Sequence, residues 1–588
     1  MPAYVRISPI LTIERLLAKR RKPLRTARPD RWIFVGLFFL TTAVRPRASN
    51  PIVRANSRSI SSIAAGGVQA QPVQGGIIFA DQQSGSDMGA KIVAANTALG
   101  TAKGEIRVAM SGEVSEPVSL SYNHDLICVG DQVALTLSTS RASITQQSHT
   151  RVRGCTLSSS QTSPPAGGAE IFSQGTSDIQ VDDVTFVGGG SHIEFNTVSN
   201  FSIRNTRHVS ITAKGASPIL IDSSTRGQII APRIEGFTVP AGELGVRLIG
   251  INRSSFIAVS DPAIQDVDAS TVPGCGGVSF TASSNSTLEG GVITGLKNCD
   301  GVLTESTGRA ASSDIDIRGT VSTGHNATPG LGRNANNGEG FDIFNSRRVR
   351  LSEVTARNNG KSPSNRQPGI EVSNSSEIRI SHCIASDNGV DGIKVDGSPG
   401  VSISESHTNH NGGTGILVMP ALGRVNVTGG SPIADWTPGD ANMTFSAVWP
   451  VGTKIVIGGA IYTIASFLSA GQLMLTSGFS APTGKYSYNV DSYVEITGGE
   501  SLDNGQWSAD VPPNQNVGQR EGVYFAGGFS GEITGRVTRL HAADTQNRKT
   551  QTFGIRVENR ARIIASHNSV AGNLAGGIQD SPGKSSIR

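Results

Sequence analysis

Asp342, Glu371 and Lys394 fill the third place of three matching segments, Gly340-Phe341-Asp342-Ile343, Gly369-Ile370-Glu371-Val372 and Gly392-Ile393-Lys394-Val395, and Asp396 follows two residues after Lys394. Carboxylates stacked at a regular spacing repel unless a cation bridges them, and an oxygen-rich site of this kind suits Ca²⁺. With Asp342, Glu371 and Asp396 as metal ligands, a uronate would bridge to the ion through its own carboxylate. The ion would also draw charge from an enolate developing beside that carboxylate, which is what β-elimination requires. Lys394 would be the base if burial or neighbouring cations lower its pKa, whereas the adjacent acids act the other way. Glu339 and Asp391, each just before its glycine, flank the row and would contact substrate together with Arg348. Arg347 would steady a carboxylate or a leaving-group oxygen. The same residues also describe a plain solvated exterior in which Lys394 pairs with Glu371 for about 0.2–1 kcal/mol.

The elements that must position these side chains are visible as a repeat. Gly340, Gly369, Gly392, Gly415, Gly554 and Gly577 each open a Gly-aliphatic-x-aliphatic stretch or its close variant, with 23 residues between 369 and 392, 392 and 415, and 554 and 577. Apolar pairs recur at fixed offsets from each glycine, as Val349 and Leu351, Ile378 and Ile380, Val401 and Ile403, and Ile563 and Ala565. Asn359, Asn388, Asn411 and Asn573 recur further on, where a turn needs left-handed backbone and where side-chain amides can stack into an internal ladder. A fixed period of this length describes a solenoid. Strand residues alternate, so the aliphatics should point inward, with the glycine and the residue at the third place facing solvent. Corresponding residues of successive coils then lie about 4.8 Å apart and form a flat platform.

The composition agrees. Seventy-one glycines, few aromatics and 16% charged residues describe many short strands joined by tight turns rather than long helices. Asp87, or Ser86 before it, would cap a short helix whose apolar face comprises Met88, Ile92, Val93 and Leu99 and plugs the first coil. From 425 to 496 the period breaks into a meander of short strands with its own aromatics, read as a small inserted β-barrel or sandwich. Trp436, Trp449, Tyr462, Tyr486 and Tyr488 would fill its core or stack on sugars. The expected organisation is therefore a basic arm at 1–31, an apolar run at 32–44, a tether at 45–76, a parallel β-helix at 77–424, the insert, and the β-helix continued at 497–588. The coil opened by Gly577 is incomplete at Arg588, which is read most simply as a truncated sequence, the alternatives being an open end that docks on another chain or one that tolerates fraying.

The formal charge of +5 arises from the arm, where nine basic residues face only Glu14 and Asp30. Without it the remainder is close to neutral, so charge gives no argument for nucleic-acid binding. Trp32 to Val44 suit a signal-peptide core, with an uncleaved membrane anchor as the alternative, and the rest would then be secreted or held at the cell envelope. Five cysteines are compatible with an oxidising compartment. Cys128 and Cys155, and Cys275 and Cys299, are each about one coil apart and would either bridge or lie in the core, leaving Cys383 over. His407 and His410 have no ligand partners at zinc spacing.

Ala80-Asp81-Gln82 with the following helix, Gly104-Glu105-Ile106-Arg107-Val108, and the regular Gly-Ile-x-Val coils with Asn-Gly turns together resemble the pectate-lyase-like superfamily. That resemblance implies an all-β fold, a right-handed parallel β-helix with an N-terminal capping helix, and it covers roughly 77–588 outside the small inserted β domain. It also implies a polysaccharide partner. The hydrolase and epimerase signatures of the superfamily are present only as fragments, in Asp182-Asp183, Gly324-His325-Asn326 and Gly340-Phe341-Asp342. The sequence thus leads to an exported lyase acting by β-elimination on an acidic polysaccharide, with a non-catalytic glycan-binding adhesin as the alternative.

Overall fold

The computed structural model describes residues 76–587 except 131, 141–142, 161–168, 212–216, 240–245, 272–273, 308–309, 327–337, 363–364, 438–444, 470, 507–519, 528–532, 547–549, 559–560 and 581–585. The basic arm, the apolar run and the tether, apart from residue 76, lie outside the described residues, and among the described residues no helix is long and apolar enough to cross a membrane.

The chain winds as a right-handed parallel β-helix with three long sheets. One coil illustrates the path. Ile393–Asp396 lies in the first sheet, Val401–Ser404 in the second and His407–Asn409 in the third, after which Ile416–Met419 returns to the first. Each strand pairs in parallel with its counterparts one coil before and after it. Ile370 pairs with Ile393, and Ile393 with Ile416. β-Branched residues at alternate places fit this pleat and drive its burial. Phe341, Ile370, Ile393, Ile416, Val523 and Ile555 form one inner column, and Ile343, Val372, Val395, Val418, Phe525 and Val557 another, all buried. Burying each such side chain is worth about 1.5–3 kcal/mol, so the columns bind coil to coil.

The amide ladder is continuous in the later coils. Asn388 Nδ2 donates to Asn411 Oδ1 at 3.0 Å, Asn411 Nδ2 to Asn504 Oδ1 at 3.0 Å, Asn504 Nδ2 to Gln551 Oε1 at 3.2 Å and Gln551 Nε2 to Asn573 Oδ1 at 2.8 Å. The left-handed residue is not the ladder Asn but the one before it, at Asn358, Asp387 and His410. That arrangement turns the following amide inward. The glycines also differ from expectation. Gly340 and Gly392 are buried, and a Cβ on either would come within 2.7 Å of the ladder amides of Asn359 and Asn411. Glycine is required there by the ladder rather than placed toward solvent.

The capping helix runs over Met88–Leu99, with the Asp87 carboxylate accepting from the Ala90 N–H at 2.7 Å. Met88, Ile92 and Leu99 are buried, whereas Val93 is 40% exposed because it sits about 100° around the helix from Ile92. Disulfides join Cys128 to Cys155 and Cys275 to Cys299 on adjacent coils, and Cys383 is free and buried.

The insert is a closed six-stranded barrel between Ala421 and Val490. The expected span of 425–496 runs into Val494–Thr497, a strand of the second sheet whose alternation looks the same in sequence. Trp449, Tyr462 and Tyr488 are buried in the barrel core, and Trp436 and Tyr486 pack against it, so these rings fill a core. The barrel is pinned to the corner between the first and second sheets. Trp449 Nε1 donates to Gly397 O at 2.9 Å, Ser376 Oγ to Val448 O at 2.6 Å and Ser446 Oγ to Asn374 O at 2.6 Å.

Candidate functional site

The outward places of the first sheet fall into register as a row, in which Leu303 pairs with Asp342, Asp342 with Glu371, Glu371 with Lys394 and Lys394 with Leu417. A second row two residues along runs Phe344, Ser373, Asp396 and Met419. Parallel pairing without a bulge fixes these neighbours at about 4.8 Å between strands.

Within the row, Glu371 is the best-supported carboxylate. Its Oε1 accepts from Lys394 Nζ at 2.9 Å and from Ser373 Oγ at 2.8 Å. Burial pushes its pKa up, but the Lys394 charge and these bonds outweigh burial and hold it below the usual glutamate range. Asp342 behaves oppositely. Burial, then the charges of Asp300 and Glu371, push it well above the usual range, and no cation lies within ion-pair distance of it among the described residues. Lys394 also lies 4.0 Å from Asp396. Burial would lower the ammonium, yet Glu371 and Asp396 reverse the sign and raise it, so this lysine keeps its proton. Asp396 is pushed up to about 7, chiefly by burial.

Behind the row lies a corner column of buried acids. Asp300, Glu339, Asp391 and Glu521 are each no more than 3% exposed. Asp300 accepts from the Gly338 N–H at 2.8 Å, and Asp391 from the Thr414 N–H at 2.8 Å. Burial and then the facing Asp300 hold Glu339 well above its usual range, so it keeps its proton and hydrogen-bonds Asp300. Asp391 is pushed up to about 7 by burial. At the other edge, Glu305 accepts from Arg247 Nη2 at 2.8 Å and from Thr281 Oγ1 at 2.8 Å.

Six of the eight residues singled out from sequence therefore meet in one patch: Glu339, Asp342, Glu371, Asp391, Lys394 and Asp396. Glu339 and Asp391 are buried behind it, at 1% and 2% exposure, because the residue before the glycine turns into the corner, where Asp391 accepts from the Thr414 N–H of the next coil and Glu339 lies against Asp300 of the coil before. They do not face solvent. Arg347 and Arg348 are elsewhere. After the turn at Asn345 and Ser346 they open the strand Arg347–Ser352 of the second sheet, where Arg347 pairs with Glu377 at 2.8 Å and Arg348 with Asp314 at 2.6 Å. Among the described residues no three His, Cys, Asp or Glu side chains stand close enough to hold a metal ion. The Lys394 ammonium fills the space between Glu371 and Asp396 that Ca²⁺ would need, so in this arrangement the acids do not fit the ion.

Sequence reading missed Asp300, Glu305 and Arg247. A signal for Asp300 was present, since Asp300-Gly301-Val302, Glu339-Gly340-Phe341, Asp391-Gly392-Ile393 and Glu521-Gly522-Val523 share an acid-Gly-apolar pattern. Nothing local marks Arg247, which reaches Glu305 across two coils.

Residues 332–429 match a family described as the right handed beta helix region. The sheets continue the same winding on both sides of that segment, and the chain is a right-handed β-helix protein. It is similar in structure to the A-module of the Azotobacter vinelandii mannuronan C-5 epimerase AlgE4, at 12% identity over 87% of this chain and 99% of that one, with a TM-score of 0.32. It is also similar to tailspike protein 3 of bacteriophage CBA120, at 10% identity over 87% and 61%, with a TM-score of 0.37. The Streptococcus pneumoniae surface protein and adhesin PfbA shares 12% identity over 57% and 96%, with a TM-score of 0.34. No curated protein matches the sequence.

Proposed function

We propose that this protein is an exported, polysaccharide-acting enzyme in which Asp342 and Glu371 work on a glycosidic bond as carboxylic acid and carboxylate. The observation that carries the reading is the unequal support of two neighbouring carboxyl groups, with Lys394 and Ser373 both bonded to Glu371 and, among the described residues, no cation within ion-pair distance of Asp342. Environments that push two acids apart assign one as proton donor and the other as base or nucleophile. Their adjacent-rung spacing of about 4.8 Å is close to the ~5–5.5 Å between the carboxyl groups of retaining glycosidases. Asp342 would give its proton to the leaving oxygen while Glu371 attacks the anomeric carbon. Water then releases the sugar and returns a proton to Asp342. Lys394 keeps Glu371 ionised. Bridging of both cysteine pairs supports an oxidising, extracytoplasmic location.

Elimination on an acidic polysaccharide is the second reading, and the 25% exposure of the Lys394 side chain favours it. There the ammonium would neutralise a uronate carboxylate in place of Ca²⁺, and Glu371 would take the proton. Purified protein incubated with neutral and uronate polysaccharides, with and without chelator, separates the cases. Hydrolysis gives new reducing ends without near-ultraviolet absorbance, and elimination gives both. Binding without any new ends makes the protein an adhesin and overturns the enzymatic reading.

A further inference from the structure

A cleft lies on a different sheet from the row of Asp342, Glu371 and Lys394, and that row does not line it. Its volume is about 950 Å³, near the upper end of the ~300–1,000 Å³ usual for ligand sites. It spans the outer face of the second sheet from the strand Ser313–Arg318 to Val494–Thr497 and ends where the chain leaves the barrel. Tyr493 stands at that end, 42% exposed, with its backbone carbonyl fixed by the N–H groups of Gly400 and Val401 at 3.1 and 3.0 Å.

The charges of the cleft are ordered and nearly balanced. Arg348 holds Asp314 through two bonds of 2.6 and 2.7 Å, Arg350 lies 3.6 Å from Asp316, and Glu377 is gripped by Arg347. Arg379, on the same face, has no carboxylate within ion-pair distance among the described residues. Such a surface neither attracts nor repels a polyion strongly, which argues against nucleic acid and against a polyuronate. Fixed rows of planar donors and acceptors beside an exposed ring instead suit vicinal hydroxyl groups and a sugar's apolar face. The same sheet carries a second hollow, of about 380 Å³, where Phe256 is 58% exposed. It lies roughly six coils, or about 29 Å, from Tyr493 at ~4.8 Å per coil, so the face can engage a chain rather than a single sugar.

We propose that this cleft is a non-catalytic binding site for an uncharged oligosaccharide, with Tyr493 as its stacking platform and Arg379 as its free donor. It can hold a glycan on one side of the barrel while the carboxyl row works on the other, yet the binding claim stands without that reading. The test is saturation-transfer NMR and calorimetry of the full chain with a panel of neutral oligosaccharides and matched uronate oligosaccharides, repeated on Tyr493→Ala and Arg379→Ala. At least one neutral probe should bind, and Tyr493→Ala should weaken it roughly tenfold, with unchanged circular dichroism showing that the fold is intact. Absence of neutral binding, preference for the uronate probe, or affinity indifferent to both substitutions would overturn the proposal. Because the readout is binding, loss of cleavage with binding intact sinks only the enzymatic reading, and the converse sinks only this one.

Discussion

The outer faces of the first and second sheets carry the same kinds of side chain and settle their charges in opposite ways. On the second sheet Arg348 faces Asp314, Arg350 faces Asp316 and Arg347 faces Glu377, pair by pair along the coils. On the first, Glu305, Asp342, Glu371 and Asp396, with Asp300, Glu339 and Asp391 buried behind them, have only Arg247 and Lys394 as nearby cations among the described residues. A face matched nearly pair by pair holds little unmet charge and suits binding rather than proton transfer. A face with excess buried acid must hold protons at neutral pH, and held protons are what acid–base chemistry uses.

Breaking the first face should have the largest effect. Asp342→Asn or Glu371→Gln should each lower the cleavage rate by about 10²–10⁴-fold, read as new reducing ends, whereas Arg207→Ala, in an exposed pair with Glu235 on the third sheet, should leave it unchanged. Equal rates in all three variants would remove the catalytic role assigned to the first face.

Lys394→Met tests how the excess is arranged. Without the ammonium, Glu371 loses the charge that holds its pKa down, so the acidic limb of the pH–rate profile should move to higher pH by roughly one unit or more, about 1.4 kcal/mol per unit. A limb that stays in place would show that Glu371 does not set it.

Stability should report the same protons more gently. Asp391 is 2% exposed and titrates at about 7 in the fold against 3.8 for the free side chain. Between those values the folded chain holds a proton that the unfolded chain has released, so stability should fall as pH rises from about 4 to about 7 and level off above. Thermal midpoints across that range check the sign, and Asp391→Asn should flatten the slope. The second face should respond least, with Arg348→Ala costing about 0.2–1 kcal/mol in urea unfolding because its pair with Asp314 is exposed.

Much of this contrast is legible in the sequence. The 23-residue coils, the aliphatic columns and the Asn ladder follow from side-chain period alone, and the register of Asp342, Glu371 and Lys394 follows from the columns. What period does not convey is corner geometry. Arg347 and Arg348 are only five and six residues from Asp342 in sequence, but the turn at Asn345 and Ser346 sends them to another sheet. Period likewise places Gly340 and Glu339 outside, whereas the ladder amide packs against Gly340 and the Glu339 N–H turns in to Asp300 of the preceding coil. Lys394 was assigned as a base by residue type, whereas its two carboxylate neighbours keep it charged.

The most direct test of the unequal pair is a pH titration of carboxyl ¹³C resonances in protein labelled at Asp and Glu, with Asp342 and Glu371 assigned from the Asp342→Asn and Glu371→Gln spectra. The account requires Glu371 to be ionised and Asp342 still protonated at neutral pH, with Asp342 releasing its proton well above the ordinary aspartate range. Two carboxyl groups titrating together near pH 4 would contradict it.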